Sequence, residues 1–244
     1  MTVAQRLGTA AYVFRQELRS VVTSFPAIYL PLARMQRETG SQAVGAHTDI
    51  VIEGFPRSGN SFVVDAFLSA QRRPVTVAHH LHAAAQIVEG ARRRLPTLVL
   101  IREPEEAVVS FKALQLQASR RDRGHPIATS LRLLFRSYAR FYRRVWPCRD
   151  QVVIAPFNDV IRDLGAVIQR VNTRFGTDFV PFEHTEANVQ ALRSGQRYHA
   201  APSEERHRLK GPLLRELEQA RHCREACAAR AIHAKLSSHA FRAF

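Results

Sequence analysis

Between Val51 and Phe62 the chain reads VIEGFPRSGNSF, with Gly54 and Gly59 five residues apart and a hydroxyl at Ser61. Glycines at that spacing, between a strand and a helix, let backbone N–H groups turn inward around an anion. The helix N-terminus adds its partial positive charge. The pattern G-x-x-x-x-G-K-[ST] has a lysine where this chain has Asn60. In loops with that lysine, it reaches the β- and γ-phosphates and the hydroxyl holds Mg²⁺. Here the basic residue is Arg57, inside the loop. The chemistry implied is binding of a phosphoanhydride whose transferred group is not a γ-phosphate. A tight strand–helix turn without a ligand is the plainer reading of the same residues.

Such a loop needs a sheet to carry it. Apolar, β-rich runs occur at 49–55, 75–80, 97–103 and 151–157, and helical stretches at 60–71, 82–94, 104–120, 127–146 and 158–175. Strands without clear alternation fit a parallel sheet covered on both faces. The order strand, helix, strand predicts an α/β three-layer sandwich with a central parallel sheet and right-handed crossovers, P-loop NTPase-like. The chain of 244 residues divides into an N-terminal amphipathic helical extension (1–37), a linker (ETGSQAVGAHT, 38–48) and a single α/β domain (49–244) with a helical C-terminal tail. Ser203 is the expected N-cap of that tail, Glu204 and Glu205 its first turn, and Gly211-Pro212 its break. In residues 2–23, Val3, Leu7, Ala11, Phe14, Leu18, Val21 and Phe25 form an apolar stripe, with Arg6, Arg15, Gln16 and Arg19 between them. The stripe is expected to dock on the domain; lying on a membrane is the alternative.

The net charge is +15 and the pI about 11.1, which fits nucleic acid, an anionic membrane surface or a polyanionic small ligand. A generally basic, soluble surface is the plainer account. Cys148, Cys223 and Cys227 are odd in number and not spaced as a zinc site, so a reducing, cytoplasmic location is expected. No apolar run approaches the roughly 18 residues a membrane span needs.

FPRSGNSF resembles the 5′-phosphosulfate loop, Y/F-P-K/R-S-G-T-T-W/F, of sulfotransferases that use 3′-phosphoadenosine 5′-phosphosulfate (PAPS). Phe55, Pro56, Arg57, Ser58, Gly59 and Phe62 match, Ser61 keeps a hydroxyl, and Asn60 departs, with an amide that can still donate to a phosphate. LVLIREPEEAVVSF (98–111) is similar to the same family's 3′-phosphate motif. That similarity implies that Arg102 and Ser110, eight residues on, hold the 3′-phosphate. RHRLKGP (206–212) resembles the family's C-terminal R-K-G segment, although Leu209 separates Arg208 from Lys210. By that likeness Arg208, Lys210 and Gly211 close over the donor; a solvated helical turn is the alternative. The resemblance covers about 49–157 well.

The resemblance implies in-line transfer of a sulfuryl group from PAPS to a hydroxyl or amine, with adenosine 3′,5′-bisphosphate as product and no metal. Arg57 would neutralise charge on the departing 5′-phosphate. The acceptor, a carbohydrate, lipid, peptide or small metabolite, needs a base. His79, His80 and His82 stand at the carboxyl end of the second strand, where ligands of parallel sheets bind. His80-Leu81 fits the family's T-H-L-P segment, so His80 is the expected base. Glu53, beside the loop, is the reserve. Three histidines in four positions also raise a metal site, which lacks a Cys, Asp or Glu nearby in sequence. Two other readings stand beside the enzyme. One is a non-catalytic basic module on a nucleotide, a membrane or, less favoured, nucleic acid, using Arg72-Arg73, Arg92–Arg94 and Arg120–Arg123. The other is an NTP-dependent P-loop kinase, in which Arg102 and Ser110 would have no task because ATP has no 3′-phosphate.

Overall fold

The structure is a computed structural model that describes residues 3–36, 40–123, 128–195 and 204–242. Two helices, α1 (Val3–Val22) and α2 (Pro26–Met35), lead to β1 (Ile50–Gly54), α3 (Asn60–Ala70), β2 (Val77–His79) and α4 (Ala84–Arg92). Then come β3 (Thr97–Ile101), α5 (Pro104–Arg123), α6 (Leu131–Val145), a 3₁₀ segment (Trp146–Gln151) and β4 (Val153–Pro156). The chain closes with α7 (Phe157–Arg162), α8 (Leu164–Phe175), α9 (Glu186–Gly195), α10 (Glu204–Ala220) and α11 (Arg224–Arg242). The expected N-cap Ser203 lies outside the described residues.

All four strands are parallel, in the order β2-β1-β3-β4. Ile50, Ile52, Leu98, Leu100, Val153 and Ala155 face α3 and α8 on one side. Val99, Ile101 and Ile154 face the layer of α5, α6 and α11, and Val51 packs against α4. Every residue of β1 and β3 is buried, which is why neither reads as an alternating pattern. The expected α/β sandwich with a central parallel sheet is therefore the architecture observed. β1 and β3 are neighbours, yet the helices that follow them, α3 and α5, pack on opposite faces of the sheet. Their carboxyl ends thus diverge at a topological switch point, where a crevice forms.

Local signals account for two helix starts. The Ser130 hydroxyl accepts from Leu133 N (3.4 Å) at the start of α6. Asp163 accepts from Ala166 N (3.0 Å) and divides the single helix expected over 158–175 into α7 and α8. The break expected at Gly211-Pro212 is absent, because α10 runs through Pro212. Leu209, Leu213 and Leu217 lie one turn apart and pack on the core on either side of that proline, outweighing its one lost hydrogen bond.

The segment read as a linker is packed: Val44 is fully buried, its N–H donates to Gln86 Oε1 (3.0 Å) and its carbonyl accepts from Arg34 (2.6 Å). α1 also docks on the domain, but with the opposite face to the one expected. Glu17 meets Arg136 and Arg140 of α6 (3.8 and 3.9 Å), and the backbone carbonyls of Thr23 and Ser24 accept from Ala85 N and Arg144 Nε. The apolar stripe Phe14, Leu18, Val21 and Phe25 points to solvent. Among the described residues, no helix is long and apolar enough to cross a membrane.

Candidate functional site

β1 ends against β3. A Cβ on Gly54 would lie 2.5 Å from the Leu100 carbonyl, so only glycine fits there. The chain then turns through Arg57, whose φ is 72°, and Ser58 N–H donates to the Phe55 carbonyl (3.2 Å). Gly59, at φ 94°, caps α3, and a Cβ there would stand 3.2 Å from the Phe157 ring. Val63 N–H, bonded to Gly59 O (3.0 Å), begins the helical ladder. Helix geometry leaves the N–H groups of Asn60, Ser61 and Phe62 without intrahelical acceptors. The loop therefore has the backbone of an anion cradle.

Two of its side chains brace the loop from behind. Ser58 is fully buried, its hydroxyl 3.5 Å from that of Tyr142. The Tyr142 hydroxyl donates to Leu100 O (2.7 Å) and accepts from Phe55 N (3.2 Å). The Asn60 amide nitrogen, expected to reach a phosphate, donates to the Phe55 carbonyl instead (3.2 Å), and its Oδ1 is buried without a partner. Phe62 is half-buried against the rings of Phe182 and His184.

The two motifs meet in one cluster. Arg57 Nε donates to Ser110 Oγ (3.0 Å), and Arg102 Nη1 donates to the Arg57 carbonyl (3.0 Å). Arg102 also lies over the Phe157 ring (4.1 Å) and pairs with Glu106 (3.0 Å), while the buried Tyr138 hydroxyl donates to the Arg102 carbonyl (2.6 Å). A loop, and a strand end and helix 45 and 53 residues further on, thus present two guanidinium groups and a hydroxyl side by side.

The histidines form the adjoining wall. His80 Nε2 is 3.0 Å from Ser61 Oγ, and its Nδ1 meets Nδ1 of His79, so both ring nitrogens have protein partners. His82 Nδ1 faces the Gly54 carbonyl (3.1 Å). A carbonyl only accepts, so that nitrogen carries the proton and Nε2 holds a lone pair. Burial lowers His79 and His82 to about 4 and lowers His80 as well, against the pull of Asp65. His80 and His82 have φ of 58° and 50°, a left-handed conformation that costs about 1–2 kcal/mol per residue.

Glu53 holds that turn in place. Fully buried, it accepts from the N–H groups of Leu81 and His82 (3.0 Å each), from Gly54 N (3.1 Å) and from Gln86 (3.2 Å). Burial lifts its carboxyl to about 8, against those four donors. It does not line the cavity, so its place is behind the histidines rather than beside a reacting group. No group of three His, Cys, Asp or Glu that could hold a metal ion occurs among the described residues.

These elements enclose a cavity of about 510 Å³. Among the described residues that line it, four are arginines, Arg19, Arg57, Arg102 and Arg193, and none is a carboxylate. Arg19 and Arg193, with His184 and Phe157, are absent from the sequence reading of the site. Arg19 sits on the polar face of α1, which an analysis of the apolar stripe passes over; Arg193, on α9, has no local signal. Arg208 and Gly211 are exposed on α10 and do not line the cavity, while the Lys210 side chain lies outside the described residues.

No protein-family model matches the chain, and no curated protein matches it. Among solved structures the chain is similar to mouse sulfotransferase SULT7A1 complexed with PAP. The two share 9% identity, over 83% of this chain and 92% of that one, at a TM-score of 0.41.

Proposed function

We propose that the protein is a sulfotransferase that moves a sulfuryl group from PAPS to a hydroxyl or amine of an acceptor bound in the same cavity. The observation that carries this reading is the cavity wall: four guanidinium groups and no carboxylate among its described residues, at the N-terminus of α3 and the switch point of the sheet. That donor set suits a ligand with several anionic groups. The residues fit such a donor. The backbone N–H groups of Asn60, Ser61 and Phe62, with Arg57, suit its 5′ end; Arg102 and Ser110 suit a 3′-phosphate. Gly59 is needed because any side chain there would meet Phe157. Arg208 and Gly211, exposed on α10, have no part in this reading.

PAPS supplies a sulfuryl group on a phosphate that leaves as an anion. Arg57 and Arg102 neutralise negative charge as cations already fixed in place before the reaction. His80, which burial keeps below its ordinary value, takes the acceptor's proton at Nε2 when the acceptor hydroxyl displaces its Ser61 contact. His82, held at about 4 and bonded to Gly54 O, positions the wall.

A thermal-shift panel of adenosine 3′,5′-bisphosphate, PAPS, AMP and ATP tests the proposal. A ligand at 100 times its Kd stabilises the fold by about 2.7 kcal/mol. The two 3′-phosphorylated ligands are expected to raise Tm at concentrations where AMP and ATP do not. A preference for ATP would overturn the reading.

A further inference from the structure

We propose that α1 and α2 form a docking face for an anionic lipid bilayer. Seven of the large hydrophobic residues exposed among the described residues lie on these helices and their junction: Phe14, Leu18, Val21, Phe25, Ile28, Leu32 and Met35. They follow one another at alternating steps of four and three, so each helix carries a continuous apolar stripe. The other exposed large hydrophobics, Leu68, Ile161, Leu214 and Phe241, are scattered along the rest of the chain.

The exposure is not a matter of loose docking. α1 is held to α6 through Glu17 and to the α6 and α4 elements through the carbonyls of Ser24 and Thr23. α2 buries Leu30 and Ala33 on its inner side. Both helices are anchored, and both turn their apolar side out. A stripe of this size on an anchored helix marks an interaction surface.

The charges around the stripe select the occupant. Arg15 is exposed on α1, and Arg143 and Arg144 on α6 beside it, whereas Arg19 turns to the cavity and Arg34 bonds the Val44 carbonyl. Arg144 lies over the Phe25 ring (5.5 Å), and a second hollow joins Val21 and Phe25 to Arg140, Arg143 and Arg144, with Glu225 in its wall paired to Arg136. Glu17 is the one acidic residue of α1 and α2 and is turned toward α6. Apolar side chains flanked by arginines match the acyl boundary and the phosphate layer of an anionic membrane. A second copy of this chain in a two-fold contact would set one arginine row against another, which disfavours self-association. Docking in this way brings α1, whose other face carries Arg19, Ser20 and Thr23 into the cavity wall, against the headgroups.

The test needs neither donor nor acceptor, so its outcome is separate from that of the sulfotransferase reading. Sedimentation of the full chain with vesicles of phosphatidylcholine and phosphatidylglycerol in equal parts is expected to show binding, and pure phosphatidylcholine little. Phe14→Ser with Leu18→Ser should lower affinity at least about tenfold, with Tm unchanged because both side chains face water. Arg15→Gln with Arg143→Gln should lower it by about 25-fold, at roughly fivefold per arginine, as should raised salt. No binding, or equal binding to both vesicles that ignores the arginine changes, overturns the proposal. So does a lipid-free dimer, seen by light scattering and broken by the Phe14 and Leu18 changes, which would make the stripe a contact between copies.

Discussion

Replacing Arg102 by alanine isolates the feature on which the donor assignment turns. In the free protein its guanidinium makes three contacts: the Arg57 carbonyl, the Phe157 ring and Glu106. The Glu106 partner is 58% exposed, so that ion pair contributes at most about 1 kcal/mol. The arginine–ring contact adds about 0.5–1 kcal/mol, and the charge-assisted bond to the carbonyl about 1.5 kcal/mol. Arg102→Ala should therefore lower stability by about 2–3 kcal/mol in urea denaturation. Its effect on binding is larger for one class of ligand. A fork on a 3′-phosphate contributes about 1.5–3 kcal/mol, so the affinity for adenosine 3′,5′-bisphosphate should fall by one to two decades. AMP has no 3′-phosphate and should lose no more than about threefold, through the freed Arg57 carbonyl. Calorimetric titration of both nucleotides into wild type and mutant measures all four affinities. Arg102→Lys keeps the charge without the planar fork and should recover only part of the loss. Equal losses for the two nucleotides would refute the reasoning, leaving Arg102 as a brace for the loop and nothing more.

Three further outcomes are expected. His80→Ala should slow transfer by about 10²- to 10⁴-fold in a product assay while the donor's Kd moves little; a near-normal rate would take the base away from His80. The stability of the fold should peak at about pH 7. Below that, the unfolded chain binds protons on His79, His80, His82 and His233 that the folded chain refuses, and this outweighs the proton that Glu53 keeps in the fold. From there to about 8 Glu53 sets the slope, so stability falls by up to about 1.4 kcal/mol per pH unit, and Glu53→Gln should remove that decline in pH-dependent denaturation curves. Gly59→Ala should destabilise the protein by about 1–3 kcal/mol and weaken nucleotide binding, since φ is 94° and the new methyl meets Phe157; unchanged denaturation would show that the loop can relax.

The sheet and the loop were legible for different reasons. Strands buried on both faces are short apolar runs, and VIEGF and TLVLI have nothing else to be. The loop declares itself because a backbone cradle needs glycine at set positions. What a linear pattern does not carry is direction. The stripe from Phe14 to Phe25 shows that α1 has two faces, not which one the domain takes; the wall of the cavity needed polar residues, and so the polar face turned inward. Ser58 and Asn60 match or neighbour the phosphosulfate motif by type, yet both side chains point behind the loop. α2 lies within the helical extension expected over 1–37, and its two prolines do not break it. Pro26 occupies the first helical position, which tolerates it, and Pro31 removes one bond from a helix of ten residues whose Leu30 and Ala33 are buried. Glu53 is ambiguous in sequence between a base and a brace, and only its burial and its four donors decide.

The attachment of the histidine turn to β1 has a consequence for how errors spread through the site. Glu53 grips the amides of Leu81 and His82, and the next residue, Gly54, accepts from the His82 ring and begins the phosphate loop. The glycine loop and the histidine turn are thus hung from two consecutive residues of one strand. Their separation is set by hydrogen bonds to that strand and not by how helices settle against one another. Thermal drift of the outer layers moves both halves together, as two jaws on a common hinge pin keep their gap when the tool is shaken. A shift of β1 by a single residue would instead dismantle both halves at once.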